Sequence, residues 1–220
     1  MSSKSDIKLH DEYAKDYDSL AKKYNSHMHA LLFGMCYEYI KPGDSLLDIG
    51  IGTGLSSFLF AKAGLNISGF DGSAEMLKEC EKKGFVKEII QHNIQDVPLP
   101  YSDNIFSSIV CNAVLHSFGD LLPISKEVYR ILKPGGIFVF TISSLTTEDK
   151  GLNCENMPEY IKYISAWNTT VFKHSDKYIN EIARKLSFNI LKEQKVLTES
   201  GDKNTGDILF KIIVLQKKAF

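Results

Sequence analysis

Four cysteines in 220 residues, at 36, 80, 111 and 154, stand far apart and form no C-x-x-C, which argues against a zinc site and against a disulfide framework. Charge of one sign is also missing, since 26 Lys and Arg against 27 Asp and Glu leave a net charge of −1. No dense basic stripe is interleaved with aromatics, so no nucleic-acid partner is expected. No run approaches the roughly 20 apolar residues of a membrane span, and residues 1–8 lack the apolar core of a signal peptide. The expectation is a cytoplasmic protein with reduced thiols, no metal and no membrane partner. Repeats and low-complexity tracts are absent too. What is present is apolar side chain, 44% of the chain, enough for a single domain over 1–220 with a substantial core.

The organising stretch is Leu46-Leu-Asp-Ile-Gly-Ile-Gly-Thr-Gly54. An apolar run over 45–49 precedes three glycines at alternate positions, and helical spacing follows over 55–62. A strand apolar on both faces suits the middle of a parallel sheet. The glycines permit positive φ and close ligand approach, and the next helix N-terminus offers unpaired N–H groups. Spacing separates the nucleotide binders: G-x-G-x-x-G fails because Leu55 stands where the third glycine belongs, and no Gly-Lys-Ser/Thr follows as a P-loop requires. The pattern left is D-x-G-x-G-x-G with Asp48 before the turn.

Further along, Asn66-Ile-Ser-Gly-Phe-Asp71 reads as a second strand ending on an acid, with Gly72 and Ser73 after it. That carboxylate is placed to accept two ribose hydroxyls. A third strand spans 86–92, a proline-stiffened loop runs to Phe106, and a fourth strand spans 107–112. A helix is expected over 121–132, then the stop Lys133-Pro-Gly-Gly136, then an apolar strand over 137–142. Two amphipathic helices are expected before the glycine turn, over 11–25 and 26–40, with residues 1–10 loose. Later segments read as a helix within 155–167 started by Pro158, a capped helix over 175–187 and a strand pair, 188–197 with 208–217.

These motifs in this order resemble the class I S-adenosylmethionine-dependent methyltransferases, of the small-molecule, UbiE-like type. The likeness covers about 41–142, with the ends matching more weakly. It implies an α/β fold, a doubly wound and mostly parallel seven-stranded Rossmann-like sheet with a C-terminal antiparallel hairpin and an N-terminal helical lid over 1–40. The core over 41–142 would hold the cofactor, 143–173 would be a substrate-lobe insertion, and 174–220 would supply the final helix and hairpin. It further implies that S-adenosylmethionine is the cofactor. Gly50, Gly52 and Gly54 would make room for its methionine end, and Asp48 would orient the turn or reach the ammonium group through water. Asp71, with Gly72 and Ser73, would hold the ribose, Met76 would cover the adenine, and Asn93, Ile94 and Gln95 would hold its edge. Asn112 and Ala113 would face the methionine part, with Tyr17 reaching the cofactor from the lid.

Two departures stand out: Asn93 takes the place of the family's acid, with Asp96 as rival, and Ser107 replaces the Asp after Phe106. The implied reaction is methyl transfer to O, N, C or S of a small-molecule acceptor, with His116 as candidate catalytic residue and His174 and Tyr17 behind it. The acceptor would be met by the N-terminal tyrosines and the segment around Trp167. Two alternatives stay open, a non-catalytic S-adenosylmethionine-binding protein and a nicotinamide-dependent oxidoreductase.

Overall fold

The computed structural model describes residues 4–24, 26–147, 149, 152–153, 157–165, 169–198 and 208–219. Its core is a mixed sheet whose centre follows from the glycine-turn strand. Strand β1 (Ser45–Ile49) is buried from Leu46 onward and pairs in parallel with β2 (Asn66–Asp71) on one side and β4 (Phe106–Cys111) on the other. Strand β3 (Val86–Gln91) adds outside β2, and β5 (Leu132–Ser144) adds outside β4. All five run parallel, so their carboxyl ends share one edge. The reversal of strand order between β1 and β4 opens the crevice where such sheets take ligands.

On its far side β5 pairs antiparallel with β9 (Ile208–Lys217), which pairs with β8 (Phe188–Thr198). The expected terminal hairpin is therefore present. The Nζ of Lys217 is held by Asn104 Oδ1, Tyr129 O and Leu132 O at 2.7–2.8 Å, which fastens the last strand to the parallel core.

Among the described residues the sheet has nine strands where seven were expected. The two additional ones are β6 (Tyr160–Ile164) and β7 (Thr170–His174), an antiparallel pair that continues the sheet from Ser143 and Ser144 of β5. They replace the helix anticipated from Pro158. Tyr, Ile, Val, Thr and Phe fill these segments, and β-branched and aromatic residues suit a pleated, half-buried surface better than a helix. Cys154 and Trp167 lie outside the described residues, whereas Cys36, Cys80 and Cys111 are buried free thiols.

Of the residues expected to be loose, 4–10 are helical and open α1 (Lys4–Tyr13). A short 3-10 turn over Ala14–Asp16 separates it from α2 (Tyr17–Lys23), and α3 (Met28–Cys36) ends in another 3-10 turn. The two helices expected here are thus shorter pieces. After the glycine turn come α4 (Phe58–Lys62) and, following β2, α5 (Ala74–Glu81). The N-cap of α5 is Ser73, whose side chain accepts from the Met76 N–H at 3.1 Å, satisfying one of the donors that a helix start leaves open. Helix α6 (Leu122–Ile131) precedes β5, and α7 (Asp176–Lys185) is capped by Ser175. The Lys133-Pro-Gly-Gly stop survives as a bulge: Phe106 faces Leu132 while Ser108 faces Ile137, and Gly135 takes φ +78°.

Two apolar layers cover the sheet. One gathers Phe138, Phe140, Ile142 and Leu215 with α6 and α7; the other gathers Val139, Ile212 and Val214 with Leu32, Cys36 and Phe60 of α3 and α4.

Candidate active site

The turn after β1 is tied to β2, since the N–H groups of Gly50 and Ile51 both donate to Phe70 O, at 2.9 and 3.0 Å. All three glycines hold positive φ, +70°, +52° and +82°, a conformation that costs other residues a clash at Cβ. Each serves a different neighbour. A Cβ at Gly50 would strike the Val114 side chain, and one at Gly54 would strike Phe85 and Cys80, whereas one at Gly52 would project into open space. Gly50 and Gly52 both line a cavity, but only Gly52 has open space where a Cβ would stand, and Gly54 serves packing.

That cavity lies over the carboxyl ends of β1, β2 and β4. Tyr17, Gly50, Gly52, Asp71, Gly72, Ser73, Met76, Asn93, Ile94, Asn112 and Ala113 line it, eleven of the fifteen residues singled out from the sequence. The Asp71 carboxylate accepts from the Gly52 and Ser73 N–H groups, each at 2.9 Å, so the turn and the strand end are locked to one another. Burial raises its pKa, and those N–H groups oppose the rise. Met76 is buried beside it. Asn93 Oδ1 accepts from the Gln95 N–H at 3.0 Å, which fixes the amide in place.

The other four lie apart. Asp48 is buried under the turn, with Oδ2 unpartnered among the described residues. Burial, with the Asp71 charge adding to it, pushes its pKa up to about 7. Gly54 packs on α5, and Gln95 faces a separate cleft with Val97 and Asp120. His116, half-buried, lies edge-on to Phe210 with ring centroids 6.0 Å apart. Burial, reinforced by His10 and His174, lowers its pKa to about 4, and its Nδ1 has no partner among the described residues. Asp96 is exposed and outside the cavity lining. His174 stacks on Tyr178, and its ring nitrogen Nε2 pairs with Gly119 O at 3.0 Å, a structural role.

Residues that the sequence did not single out complete the cavity: Ile7 and His10 from α1, and Phe70, His92, Val114, Ser117 and Phe118 from the sheet edge. The step of three from Ile7 to His10, continued at Tyr13 and Tyr17, was the available signal. Two aspartates fasten these helices down. Asp11 accepts from the Ser73 hydroxyl at 2.5 Å, and Asp18 accepts from the Thr53 hydroxyl at 2.6 Å while pairing with Lys83. Tyr17 sits so close to Asp71, Asp18 and Asp48 that these charges add to burial in raising its pKa. The helices leave about 110 Å³ free, below the roughly 300–1,000 Å³ usual for ligand pockets.

Past β4, Ala113 adopts φ +56°, a strained setting for a residue with a Cβ and one that clusters at functional sites. Its N–H donates to Thr141 Oγ1 at 2.7 Å, and Asn112 Nδ2 donates to Ser56 Oγ at 3.0 Å. Asn112 and Ala113 also line a second cavity, of about 510 Å³. Among the described residues no group of three or more His, Cys, Asp or Glu is arranged to hold a metal ion, His27 and His29 included. No helix among them is long and apolar enough to cross a membrane.

Residues 47–140 match the family model described as a methyltransferase domain. A demethylmenaquinone methyltransferase of Corynebacterium kroppenstedtii is 30% identical over 134 residues, covering 57% of each chain. One from Lysinibacillus sphaericus is 30% identical over 173 residues, covering 76% of this chain and 66% of the relative. The chain spans between half and two thirds of the length of the curated relatives it matches first. Among solved structures, a S-adenosylmethionine-dependent methyltransferase from Methanosarcina mazei superposes with a TM-score of 0.68 at 22% identity, over 84% of this chain and 98% of that one. That likeness is one of fold.

Proposed function

Because the chain belongs to the class I S-adenosylmethionine-dependent methyltransferase family, with S-adenosylmethionine as its cofactor, we propose that it transfers a methyl group to a small-molecule acceptor. One observation carries the reading: Gly52 and Asp71, nineteen positions apart, are joined by a hydrogen bond at the floor of one cavity.

The residues present fit the cofactor. A Cβ at Gly52 would fill the space it needs, and the Asp71 carboxylate in the lining supplies negative potential suited to a cationic ligand. When bound, S-adenosylmethionine supplies an electrophilic methyl on a sulfonium. The chain's own residues hold and align. Asp71 would receive the ribose hydroxyls, with Gly72 and Ser73 beside it. Met76, Asn93 and Ile94 would receive the adenine, Gln95 bracing Asn93 from behind. The glycine turn with Asn112 and Ala113 would receive the methionine end. Asp48 and Gly54 would act from beneath, by fixing the turn.

Helices α1 to α3 would exclude water as the lid of a single domain, with Tyr17 its innermost side chain. A conjugate acid with pKa near 4 makes His116 a weak base, so it is given a place against Phe210 and no proton to move. Alignment and desolvation then carry the rate.

Calorimetry with S-adenosylhomocysteine tests the cofactor half of this reading. Asp71→Ala should weaken binding at least about tenfold, about 1.4 kcal/mol, in a chain that still folds but melts lower, because the Gly52 and Ser73 N–H groups lose their acceptor; unchanged affinity would sink the ribose assignment. For turnover, demethylmenaquinone, the acceptor in the names of two relatives, is the first to test in its reduced form, with S-adenosylhomocysteine release as the readout.

A further inference from the structure

At the amino edge of the sheet, the opposite end of β1 from the glycine turn, another cleft of about 430 Å³ opens between the segment that follows α3 and the end of α4. Its apolar lining is Phe33, Tyr37, Ile40, Pro42, Leu59 and Ala63. Aromatic rings support it: Phe33 stands edge-on to the fully buried Phe60, with centroids 5.0 Å apart, and edge-on to Tyr37 at 5.7 Å. The turn that carries Pro42 is pinned, because the Gly43 N–H donates to Gly64 O and the Asn66 side-chain amide donates to Gly43 O, each at 2.9 Å. The hollow therefore belongs to the fixed part of the fold. Tyr37 is nonetheless 64% exposed, and apolar surface left open around one hollow marks a binding site more often than chance placement does.

The charge around the hollow narrows what fits. Two cations, Lys41 and Lys62, line it, and no carboxylate does. The two acids nearest to it in sequence are committed elsewhere: Asp44 accepts from the Lys41 backbone N–H at 2.8 Å, and Glu38 pairs with Lys192, which lines a different cleft. Among the described residues neither Lys41 nor Lys62 has a carboxylate partner, whereas Lys78, Lys82, Lys83, Lys173 and Lys211 all have one. Lys62 Nζ instead lies 5.3 Å from the centre of the Phe58 ring. An inorganic anion here would meet the ammonium groups and leave the aromatic wall to water. A neutral ring would cover the wall and leave the charge unanswered. A molecule that joins an anionic head to an apolar body does both.

We propose that the cleft between α3 and α4 is a second ligand site, and that it takes a small organic anion with an aromatic or aliphatic body. The body lies against Phe33, Ile40 and Leu59, and the carboxylate, sulfonate or phosphate head faces Lys41 and Lys62. A volume of about 430 Å³ falls within the roughly 300–1,000 Å³ of small-molecule pockets. The site sits at the far edge of the sheet from Gly52 and Asp71, so it stands or falls independently of the cofactor reading.

The test titrates naphthalene-2-sulfonate calorimetrically into the full chain, with naphthalene-2-sulfonamide as its neutral counterpart of like size. The sulfonate should bind measurably, at least about fivefold tighter than the sulfonamide, and more weakly as salt rises from about 50 to about 500 mM. The double variant Lys41→Gln, Lys62→Gln should lose at least about fivefold in sulfonate affinity, with its melting temperature nearly unchanged because both side chains are exposed. A control, Lys177→Gln with Lys185→Gln, removes the same charge from exposed positions of α7 and should stay within about twofold. No sulfonate binding, equal binding of the sulfonamide, an unaffected Lys41, Lys62 variant or an equal loss in the control would each overturn the site. Pelleting of the chain with phosphatidylglycerol vesicles that disappears in the Lys41, Lys62 variant would also overturn it, making this face one that meets a lipid surface.

Discussion

Of the three glycines in the turn, two meet protein when given a side chain and one does not, so a single substitution chemistry should give opposite phenotypes. Gly54→Val drives a β-branched side chain at φ +82° into Phe85 and Cys80. Left-handed strain of about 1–2 kcal/mol and overpacking of about 1–3 kcal/mol should lower the melting temperature by several degrees. Gly52→Val carries the strain at φ +52° but meets open space, so it should lose S-adenosylhomocysteine affinity with a smaller loss of stability. Thermal melts and calorimetry on the two variants check the contrast; equal melting temperatures with equal affinities would contradict it. Asp48 supplies the pH dependence. With its pKa raised to about 7 by burial, the folded chain holds a proton between about 4 and 7 that the unfolded chain has released. Stability therefore falls as pH rises through that window and levels off above it. Asp48→Asn should remove the effect, raising the melting temperature at pH 8 clearly more than at pH 5. A difference independent of pH would refute the burial account.

At the scale of elements, α1 and α2 lie over the carboxyl edge of the sheet on few fastenings: Asp11 with Ser73, and Asp18 with Thr53 and Lys83. No residue of α2 is fully buried. The solvent-exposed Asp18–Lys83 pair is worth about 0–1 kcal/mol and the two hydroxyl–carboxylate bonds about 1.5–3 kcal/mol each, a small total, so these helices belong to the part of the molecule that opens first. The double variant Asp11→Ala, Asp18→Ala should speed amide hydrogen exchange over 7–20 severalfold and leave β1, β4 and β5 as protected as before. Uniform protection in both segments would mean that the helices unfold only with the sheet. The free space of about 110 Å³ beneath them gives the opening a purpose, because a ligand of the cofactor's size needs the room that Ile7, His10 and Tyr17 now occupy.

For the molecule as a whole, legibility followed periodicity. Strand β2 was read to its observed ends because an apolar run stopped on Asp71 and a capping Ser73 followed. The final hairpin was equally plain from its two β-rich runs. Where the sequence signal was local and ambiguous, the tertiary environment decided. Tyr160-Ile-Lys-Tyr-Ile fits both helical and alternating patterns, and pairing with β7, itself seated on β5 at Ser143 and Ser144, makes it a strand. Loose-looking residues 4–10 became helical because Ile7 has the sheet edge to lie on. Of the eleven proposed site residues that share one cavity, all but Tyr17 of α2 and Met76 of α5 follow strand ends whose order the motif fixed. Asp48, Gly54, Gln95 and His116 separate from them because sequence spacing says which loop a residue joins and not which way it faces.

Asn112 and Ala113 border both cavities, and Ala113 is held at φ +56° with its N–H on Thr141 Oγ1. An occupant on either side that shifts this backbone changes the reception on the other. Thermodynamic linkage then requires reciprocity: whatever factor the first ligand applies to the second's affinity, the second returns to the first. A compound in the larger cavity would in this way tune the affinity of a ligand in the smaller one without touching it, and cooperativity, of either sign, becomes a property of one left-handed alanine.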